Sequence, residues 1–239
     1  MVKQRLDQKL VQLGLVSTRS QAESYIKLGD VTVNGKVEIK PGSLVGEDAE
    51  VKLTAKEQYV SRAALKLASV AKILHLDFRD KVVLDVGSST GGFTDFALQH
   101  GARKVVAVEV GTNQMHPSLH GNPKIELYEK TDIRDVKTVE QIDIVVADVS
   151  FISLRELLPH ISGLVTRDSL LVCMVKPQFE AAQSSLKHKG VIKNDKLRRD
   201  ILKDFETWAR ERFVVLDKAD STVAGEKGNL ERFYLLKKL

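Results

Sequence analysis

The chain has 239 residues, 43% hydrophobic and 29% charged, which is enough for one large domain with a packed core and a second, smaller one. No apolar run approaches the ~18 residues of a membrane helix and the N-terminus has no apolar signal region, so we expect a cytoplasmic protein without membrane segments. The net charge of +5 is too small to establish a polyanionic partner, and the single cysteine, Cys173, excludes an internal disulfide.

The N-terminal part of the chain predicts a small α+β module. Apolar residues at helical spacing predict a first short helix. Thr18 and Gln21 have the spacing of a capping box at the start of a second helix, which Gly29 ends. The Asn34-Gly35 pair between alternating apolar residues predicts a tight hairpin. Two helices and a small sheet form a marginal core, which favours an appended binding module over an enzyme.

The segment RLDQKLVQLGLVSTRSQAESYIKLGDVTVNGK resembles the S-four RNA-binding domain, a module named after a small-subunit ribosomal protein. The resemblance covers residues 3 to about 53. In that family the second helix and the following turn present basic residues to structured RNA, where they neutralise phosphates without reading base sequence. Charge alone would favour an ordinary solvated face. The resemblance instead implies RNA contacts by Arg5, Arg19, Lys27 and Lys36.

Beyond a linker at residues 54–59, the pattern changes to strands that alternate with helical segments. The β-branched runs KVVLDVG, KVVAVEV, IDIVVADV and LLVCMVK have the continuous apolar character of parallel strands that are buried on both faces. We therefore predict one domain at residues 1–53 and a second at residues 60–239. The second domain is expected to be a doubly wound, mostly parallel α/β sheet of the Rossmann-like class, with ligands at the carboxyl ends of its strands.

A glycine-rich loop, GSSTGGFT, follows the first of these strands and contains Gly87, Gly91 and Gly92. The loop lacks the lysine of a P-loop and the spacing of the dinucleotide fingerprint. Asp85, just before it, would repel a pyrophosphate but would favour a cation. We therefore expect S-adenosylmethionine, whose sulfonium and ammonium groups are positive and whose carboxylate can accept from N–H groups at the following helix start.

Acids at the ends of the next two strands extend the predicted ligand site. Glu109 ends the second strand, where a carboxylate can bind both ribose hydroxyls. Asp132 follows IELYEK, a weaker predicted strand between KVVAVEV and IDIVVADV, and can accept from the adenine amino group. The alternative, that both are ordinary polar residues at strand ends, stays open on these patterns alone. The predicted S-adenosylmethionine site comprises Asp85, Gly87, Ser88, Gly91, Gly92, Phe93, Glu109 and Asp132.

Charged residues at the same edge of the sheet are candidates for catalysis. Lys176 ends the strand LLVCMVK, where its amine can act as a base or steer a hydroxyl toward deprotonation, and Asp148 ends IDIVVAD. By position alone, Lys176 is equally well explained as a side chain that reaches solvent. Cys173 has apolar neighbours in the sequence, so we expect it to be a core residue and not a nucleophile.

Five motifs, YVSRAALKL, LDVGSSTGGFTD, ADVSFISL, MVKPQFE and KGNLERF, resemble in order and spacing the TlyA or hemolysin A family. That family joins an S-four domain to an FtsJ-like methyltransferase domain, and the resemblance covers essentially the whole chain. FtsJ-like ribose methyltransferases use a Lys-Asp-Lys-Glu tetrad, which by motif position falls on Lys66, Asp148, Lys176 and Glu231. The resemblance implies methylation of a ribose 2′-hydroxyl on a ribosomal-RNA cytidine, with Asp148 orienting Lys176. Departures from the family at Ala63-Ala64 and Leu65 do not touch the tetrad.

Further RNA contacts are expected near the predicted catalytic site. Residues 187–212 form the most basic stretch, which begins as a loop and continues as an amphipathic helix. The helix is better explained as an ordinary covering helix, whereas the loop lysines are equally well explained as RNA contacts or as solvated residues. The additional predicted RNA-binding residues are Arg62, Lys187 and Lys189.

Three functions compete on the sequence alone. The leading one is a ribosomal-RNA 2′-O-methyltransferase that uses S-adenosylmethionine, needs no metal, and acts on ribosomal RNA or a ribosomal subunit. The second is a non-catalytic RNA-binding or ribosome-assembly factor, against which the intact tetrad and loop speak. The third is membrane lysis, which only the inherited family name suggests. The sequence specifies neither the modified nucleotide nor the oligomeric state.

Overall fold

A computed structural model of the chain describes residues 3–55, 58–137, 140–181, 190–225 and 228–239. The chain divides into two compact units, Met1–Leu65 and Lys66–Leu239. The first unit extends past the predicted linker because Tyr59 is buried in it. The carbonyl oxygen of Tyr59 accepts a hydrogen bond from Gln21 Nε2 at 2.9 Å. The domain limits at residues 53 and 60 stay a prediction.

The N-terminal unit consists of two helices and several short strands. Its elements are β1 (Lys3–Arg5), α1 (Leu6–Gln12), α2 (Arg19–Leu28), β2 (Val31–Val33), β3 (Lys36–Val37), β4 (Leu44–Gly46) and β5 (Val51–Leu53). Strands β3, β2 and β5 form an antiparallel sheet in that order, and β1 pairs with β4. The sequence did not predict β1 and β4, whose three-residue lengths give no periodic signal.

Local sequence signals account for the turns of this unit. The predicted capping box is confirmed, because Thr18 Oγ1 accepts from Gln21 N and Gln21 Oε1 accepts from Thr18 N. The hairpin turn has Asn34 at φ 51° and Gly35 at φ 75°, the left-handed conformations that this residue pair favours. Gly29 ends α2 at φ 82°, as predicted.

The C-terminal unit is built on a seven-stranded sheet, and the division between the units falls within α3 (Arg62–Ala71). The strand order is β11-β12-β10-β9-β6-β7-β8, with β12 antiparallel to both of its neighbours and parallel pairing from β10 through β8. The predicted mostly parallel α/β fold is therefore confirmed. The remaining elements are β6 (Val82–Val86), α4 (Gly92–Gln99), β7 (Lys104–Val108), β8 (Ile125–Tyr128), β9 (Ile144–Ala147), α5 (Leu154–Gly163), β10 (Leu170–Val175), α6 (Pro177–Glu180), α7 (Asp195–Arg210), β11 (Phe213–Asp220) and β12 (Arg232–Lys238).

The central strands are buried along their whole length, as their apolar runs predict. Every residue of β6 and β9 is buried. Cys173 on β10 is fully buried, and this burial raises the pKa of its thiol to about 12, so the thiol is neutral and unreactive in the folded protein. Leu202 and Phe205 of α7 pack into the same core, which makes α7 a covering helix.

The sheet reverses its winding direction at β6. From β6 the chain moves outward through β7 to β8 and then returns to β9 on the other side of β6. The loops after β6 and β9 therefore leave in opposite directions and open a crevice at the carboxyl ends of the strands. This is the edge at which the sequence predicts the ligand.

No helix in the described ranges is long and apolar enough to cross a membrane. No cluster of three or more His, Cys, Asp or Glu side chains within them is arranged to hold a metal ion.

Candidate active site

A cavity of about 540 Å³ opens at the carboxyl ends of β6, β7, β8 and β9. Its wall contains three carboxylates, Glu109, Asp132 and Asp148, among apolar side chains such as Val108 and Ile133. Within the described part of the chain, no Lys, Arg or His contributes to the wall. The cavity is therefore a negatively charged environment, which stabilises a cationic ligand and disfavours a pyrophosphate.

The turn after β6 requires glycine at its first position. Gly87 has φ +80°, and a Cβ there would lie 2.8 Å from the main-chain oxygen of Asp148, so the loops after β6 and β9 meet backbone to backbone. Gly91 has φ +84°, and a Cβ there would lie 2.5 Å from a leucine methyl of the loop after β7. Gly87 lines the cavity, whereas Gly91, Gly92 and Phe93 lie outside the wall that the described residues form.

Glu109 joins two turns of the cavity wall. Its Oε2 accepts from Ser89 N at 2.9 Å, and its Oε1 accepts from Gly111 N at 2.7 Å. Each carboxylate oxygen has a second lone pair, so both can still accept a hydroxyl donor from a ligand. Glu109 thus lies where the sequence places it, and its role in ribose binding stays a prediction.

Asp132 is fixed in the wall by Arg134. Its Oδ1 accepts from Arg134 N and Nε, each at 2.9 Å, and its Oδ2 accepts from Arg134 Nη2 at 2.6 Å. The hydrogen bonds from Arg134 lower the pKa of Asp132 to about 2, so the carboxylate is ionised at neutral pH. Sequence reasoning did not foresee Arg134, although an arginine two residues after an acid in a turn is a usable signal.

Asp85 lies behind the cavity wall. Its side chain is fully buried, and Oδ2 accepts from Thr94 Oγ1 at 2.6 Å. Among the described residues, neither Asp85 Oδ1 nor the buried Ser88 Oγ has a hydrogen-bond partner. Burial, together with the charges of Asp148 and Glu109, raises the pKa of Asp85 to about 7. A carboxyl group in this condition gains stability from a nearby positive charge.

We expect Asp85→Asn to reduce the pH dependence of folding. The pKa of Asp85 is about 7 in the folded protein and 3.8 as the ordinary value, so the folded state keeps a proton that the unfolded chain releases. The proton that Asp85 keeps stabilises the folded state fully below pH ~4. This stabilisation falls as pH rises through ~7, by up to about 4 kcal/mol.

Denaturant unfolding near pH ~5 and pH ~8 measures this dependence. Relative to the wild type, Asp85→Asn should be more stable at the higher pH than at the lower one. Asp217→Asn, at an exposed aspartate, is the control. An Asp85→Asn variant that differs from the wild type by the same free energy at both pH values would contradict the raised pKa.

The four predicted catalytic residues form two ion pairs at one edge of the sheet. Lys66 Nζ lies 2.5 Å from Glu231 Oε2, and Lys176 Nζ lies 2.5 Å from Asp148 Oδ1. The pairing of β10 with β12 aligns Val175 with the residue that follows Glu231, so Lys176 and Glu231 are neighbours where the two strands begin to separate. Asp148 follows the adjacent strand β9. The predicted contact between Asp148 and Lys176 is therefore present.

Two residues of the loop after β9 were missed by sequence reasoning. Ser150 Oγ accepts a hydrogen bond from Lys176 Nζ at 2.7 Å, so the amine is held from two sides. Phe151 lines the cavity, yet 92% of its surface is exposed and its φ of +68° is unfavourable for an aromatic residue. Its ring centroid lies 5.4 Å from that of Phe179. An aromatic residue in the turn ADVSFISL, just after a strand-end acid, was the available signal.

A buried carboxylate connects the loops that carry Lys176 and Asp148. Glu180, at the end of α6, accepts from Ser153 Oγ at 2.5 Å and from Leu154 N at 2.8 Å. Burial raises the pKa of Glu180. The segment after β10 is thereby fixed to the segment after β9, which holds the Lys176 and Asp148 side chains in register.

The predicted RNA-contacting residues that the structure describes all lie in the N-terminal unit. Arg5 and Arg19 are next to each other in the N-terminal unit, where both contact Asp7. Lys27 and Lys36 are exposed in the same unit, and Arg62 is half-buried at the start of α3. Lys187 and Lys189 lie outside the described residues.

Comparison with protein families gives two matches. The FtsJ-like methyltransferase family matches residues 59–238, and the S-four domain family matches residues 4–51. These ranges include the cavity, the two ion pairs and the arginines of the N-terminal unit.

Individual relatives agree with these matches. The 23S rRNA (cytidine-2′-O)-methyltransferase TlyA of Campylobacter jejuni is 42% identical over 180 residues, 74% of this chain and 70% of that protein. The 16S/23S rRNA (cytidine-2′-O)-methyltransferase TlyA of Mycobacterium tuberculosis is 34% identical over 239 residues, 98% of this chain and 89% of that protein. A solved Streptococcus thermophilus protein that carries the name hemolysin has a TM-score of 0.72 at 33% identity, covering 100% of this chain and 89% of that one. The chain therefore belongs to the FtsJ-like methyltransferases and, among them, to the TlyA or hemolysin A family, in which an S-four domain precedes the methyltransferase domain.

Proposed function

We propose that the protein transfers a methyl group from S-adenosylmethionine to the ribose 2′-hydroxyl of a cytidine in ribosomal RNA. The observation that carries the proposal is the acidic cavity beside a lysine that Asp148 and Ser150 hold in place. The Campylobacter and Mycobacterium relatives are named as rRNA (cytidine-2′-O)-methyltransferases, which supports the choice of ribosomal RNA and of cytidine.

The residues around the cavity fit S-adenosylmethionine. Glu109 has free lone pairs for the ribose hydroxyls, and the ionised Asp132 can accept from the adenine amino group. Asp85 Oδ1 on β6 and Ser88 Oγ in the following turn are buried without a hydrogen-bond partner among the described residues, so a ligand donor that reached them would satisfy them. Gly92 begins α4, whose free N–H groups can bind a carboxylate. When bound, S-adenosylmethionine supplies an electrophilic methyl group on a positively charged sulfur.

Lys176 is proposed to remove or stabilise the proton of the ribose hydroxyl. Two of the three positions around its Nζ face Asp148 and Ser150, which leaves the third for the 2′-oxygen. A 2′-hydroxyl is a weak nucleophile at neutral pH, so an amine that removes or stabilises its proton lowers the barrier. Asp148 keeps Lys176 in this orientation. No covalent intermediate with the enzyme is needed.

The second ion pair has a positioning role in this proposal. Lys66 and Glu231 are both almost completely buried, so their geometry is rigid and little screened by water. Their place beside Lys176 suits them to orient the sugar through hydrogen bonds. In this proposal Lys176 handles the proton of the hydroxyl, Asp148 orients Lys176, and the pair of Lys66 and Glu231 positions the ribose.

Phe151 is proposed to stack on the base of the target nucleotide. Its exposed ring stands at the cavity next to Phe179, and Lys176 Nζ lies 5.9 Å from the centre of the Phe179 ring. Stacking between a base and an aromatic ring contributes about 1–3 kcal/mol, so Phe151→Ala should lower kcat/KM for RNA roughly 5- to 150-fold. Because Phe151 also lines the cavity, the affinity for S-adenosylmethionine has to be measured separately, and it should fall less than kcat/KM for RNA.

Phe151→Gly and Phe151→Trp separate this role from a structural one. Glycine accepts φ +68° without strain, so Phe151→Gly should unfold at the same temperature as the wild type or a higher one and still be poorly active. Phe151→Trp should retain activity. Methyl transfer at the wild-type rate by Phe151→Ala would exclude base stacking.

The function itself is tested by transfer of a labelled methyl group to purified ribosomal subunits and to free ribosomal RNA. We expect incorporation at one ribose, which nuclease mapping of the 2′-O-methyl group identifies as a cytidine. If the protein binds S-adenosylmethionine but labels neither acceptor, the proposed reaction is wrong and a binding or assembly role takes its place.

A further inference from the structure

The N-terminal unit contains a buried carboxylate that the methyltransferase reaction does not use. Asp7, in the first turn of α1, has no solvent exposure. Its Oδ1 accepts from Arg5 Nε at 3.0 Å and from Gln8 N at 2.9 Å. Its Oδ2 accepts from Arg5 Nη2 and from Arg19 Nη2, each at 2.8 Å. One carboxylate therefore holds Arg5, which immediately precedes α1, and Arg19, which begins α2.

The turn before β4 leaves room for the Arg5 side chain beside Asp7. Gly42 follows Pro41 in the turn before β4, and a Cβ on Gly42 would lie 3.1 Å from Arg5 Nη1. The same turn is anchored beside α1, because Asp7 N donates to Pro41 O at 3.1 Å. The absence of a side chain at Gly42 thus leaves room for the guanidinium of Arg5.

Two guanidinium groups that contact the same oxygen atom would repel each other without the carboxylate between them. Burial raises the pKa of Asp7, but the hydrogen bonds from Arg5 and Arg19 outweigh burial and lower it. Each guanidinium has five N–H donors, and Asp7 engages only some of them. About half of each arginine side chain is exposed, so donors remain for a ligand.

We propose that Asp7 is a positioning residue that holds Arg5 and Arg19 as one composite site for a single RNA phosphate. The inference rests on the proposed function, since it assumes that the S-four domain binds ribosomal RNA. Two planar guanidiniums side by side can donate to the oxygens of one phosphate, and fixing them beforehand removes the entropy cost of ordering two long side chains at binding.

A simple charge argument predicts the opposite effect. Asp7 is negative, so its removal should strengthen the attraction to RNA if only net charge matters. If Asp7 acts by positioning, its removal should weaken binding although the protein becomes more positive. The sign of the effect therefore distinguishes the two explanations.

Glu23 provides the matched control on the same arginine. Its Oε1 lies 4.0 Å from Arg19 Nη2, beyond hydrogen-bond distance, and both side chains are exposed. Glu23→Gln removes the same charge as Asp7→Asn without removing a hydrogen bond to an arginine. We expect it to leave RNA binding unchanged or to tighten it slightly.

The experiment is filter binding of the full-length protein to purified 16S and 23S ribosomal RNA at about 50 to 300 mM KCl. Arg5→Ala and Arg19→Ala should each weaken binding and reduce the slope of log K against log salt by about one. Asp7→Asn should weaken binding roughly 5- to 20-fold. In the Arg5→Ala/Arg19→Ala background, Asp7→Asn should have no further effect, because the groups it positions are gone.

Each contrary result has a distinct meaning. Tighter or unchanged binding by Asp7→Asn, with both arginine variants impaired, overturns the positioning role but leaves the RNA-binding face. If Asp7→Asn weakens RNA binding equally in the wild type and in the Arg5→Ala/Arg19→Ala variant, the carboxylate only stabilises the fold, and the positioning role is overturned as well. If all variants bind like the wild type, the RNA-binding role of this face is wrong as well, whatever the methyl-transfer assay shows.

A second variant protects the test if Asp7→Asn does not fold, which circular dichroism would reveal. Arg19→Lys keeps the charge but loses the planar donor fork. A site built on geometry predicts weaker binding by Arg19→Lys at an unchanged salt slope. Wild-type affinity in that variant contradicts the composite site.

Discussion

Lys176→Ala should reduce the rate of methyl transfer at least ~1,000-fold while S-adenosylmethionine binds with an affinity within about twofold of the wild type. The large effect is expected because the proposed mechanism assigns the proton of the ribose hydroxyl to Lys176, whose Nζ is held by Asp148 at 2.5 Å and by Ser150 at 2.7 Å. The donor affinity should persist because Lys176 is not part of the cavity wall that the described residues form. Single-turnover transfer and calorimetry measure the two quantities separately.

Two further variants sharpen this test. Lys176→Arg keeps the positive charge and a partner for Asp148, but a guanidinium does not release a proton near neutral pH, so this variant should be almost as inactive. Lys203→Ala, at an exposed lysine on α7, should be fully active. Near-normal turnover by Lys176→Ala or Lys176→Arg would remove Lys176 from proton handling.

The second large effect is expected for Gly87→Ala, which should weaken S-adenosylmethionine binding at least tenfold and lower the melting temperature. A Cβ at this position would lie 2.8 Å from the main-chain oxygen of Asp148, and the φ of +80° adds strain. Relief of both requires the loop after β6 to move away from β9. That movement displaces the cavity wall and the residue that orients Lys176.

Gly121→Ala is the matched control for backbone strain. Gly121 has φ +71°, but a Cβ there meets no atom within 4 Å. This variant should lose only the ~1 kcal/mol of a left-handed alanine and should bind the donor normally. If Gly87→Ala behaves like Gly121→Ala, the close approach of the two loops has no role in ligand binding.

The sequence predicted the parts of the fold that have strong periodic signals. The four long apolar runs became β6, β7, β9 and β10, because a strand buried on both faces must be apolar throughout. It gave no comparable signal for β11, an edge strand whose residues are mostly exposed and whose pairing with β12 includes a register shift at Val215/Asp217. Such a strand is defined by its partner and not by its own pattern.

The candidate site divides in the same way. Strand-end residues such as Glu109 and Asp148 were found because parallel strands place their carboxyl ends at one edge. The contacts of Glu180 with Ser153, and of Asp7 with Arg19, join segments whose proximity only the folded chain establishes. Phe151 was overlooked because its exposure and its positive φ, which make it a candidate for a functional role, become visible only in the folded chain.

The pairing of Lys66 and of Lys176 with a carboxylate has a consequence for how the protein attracts RNA. Glu231 balances the charge of Lys66, Asp148 balances that of Lys176, and the adjoining cavity is acidic. The described residues of this edge therefore carry no excess positive charge that would attract a polyanion over a long distance. The attraction of RNA must then come from exposed cations elsewhere, and it weakens as the salt concentration rises. Buried ion pairs without net charge are much less sensitive to salt. The salt concentration would thus govern how often the enzyme binds RNA and not how quickly it modifies RNA that is already bound.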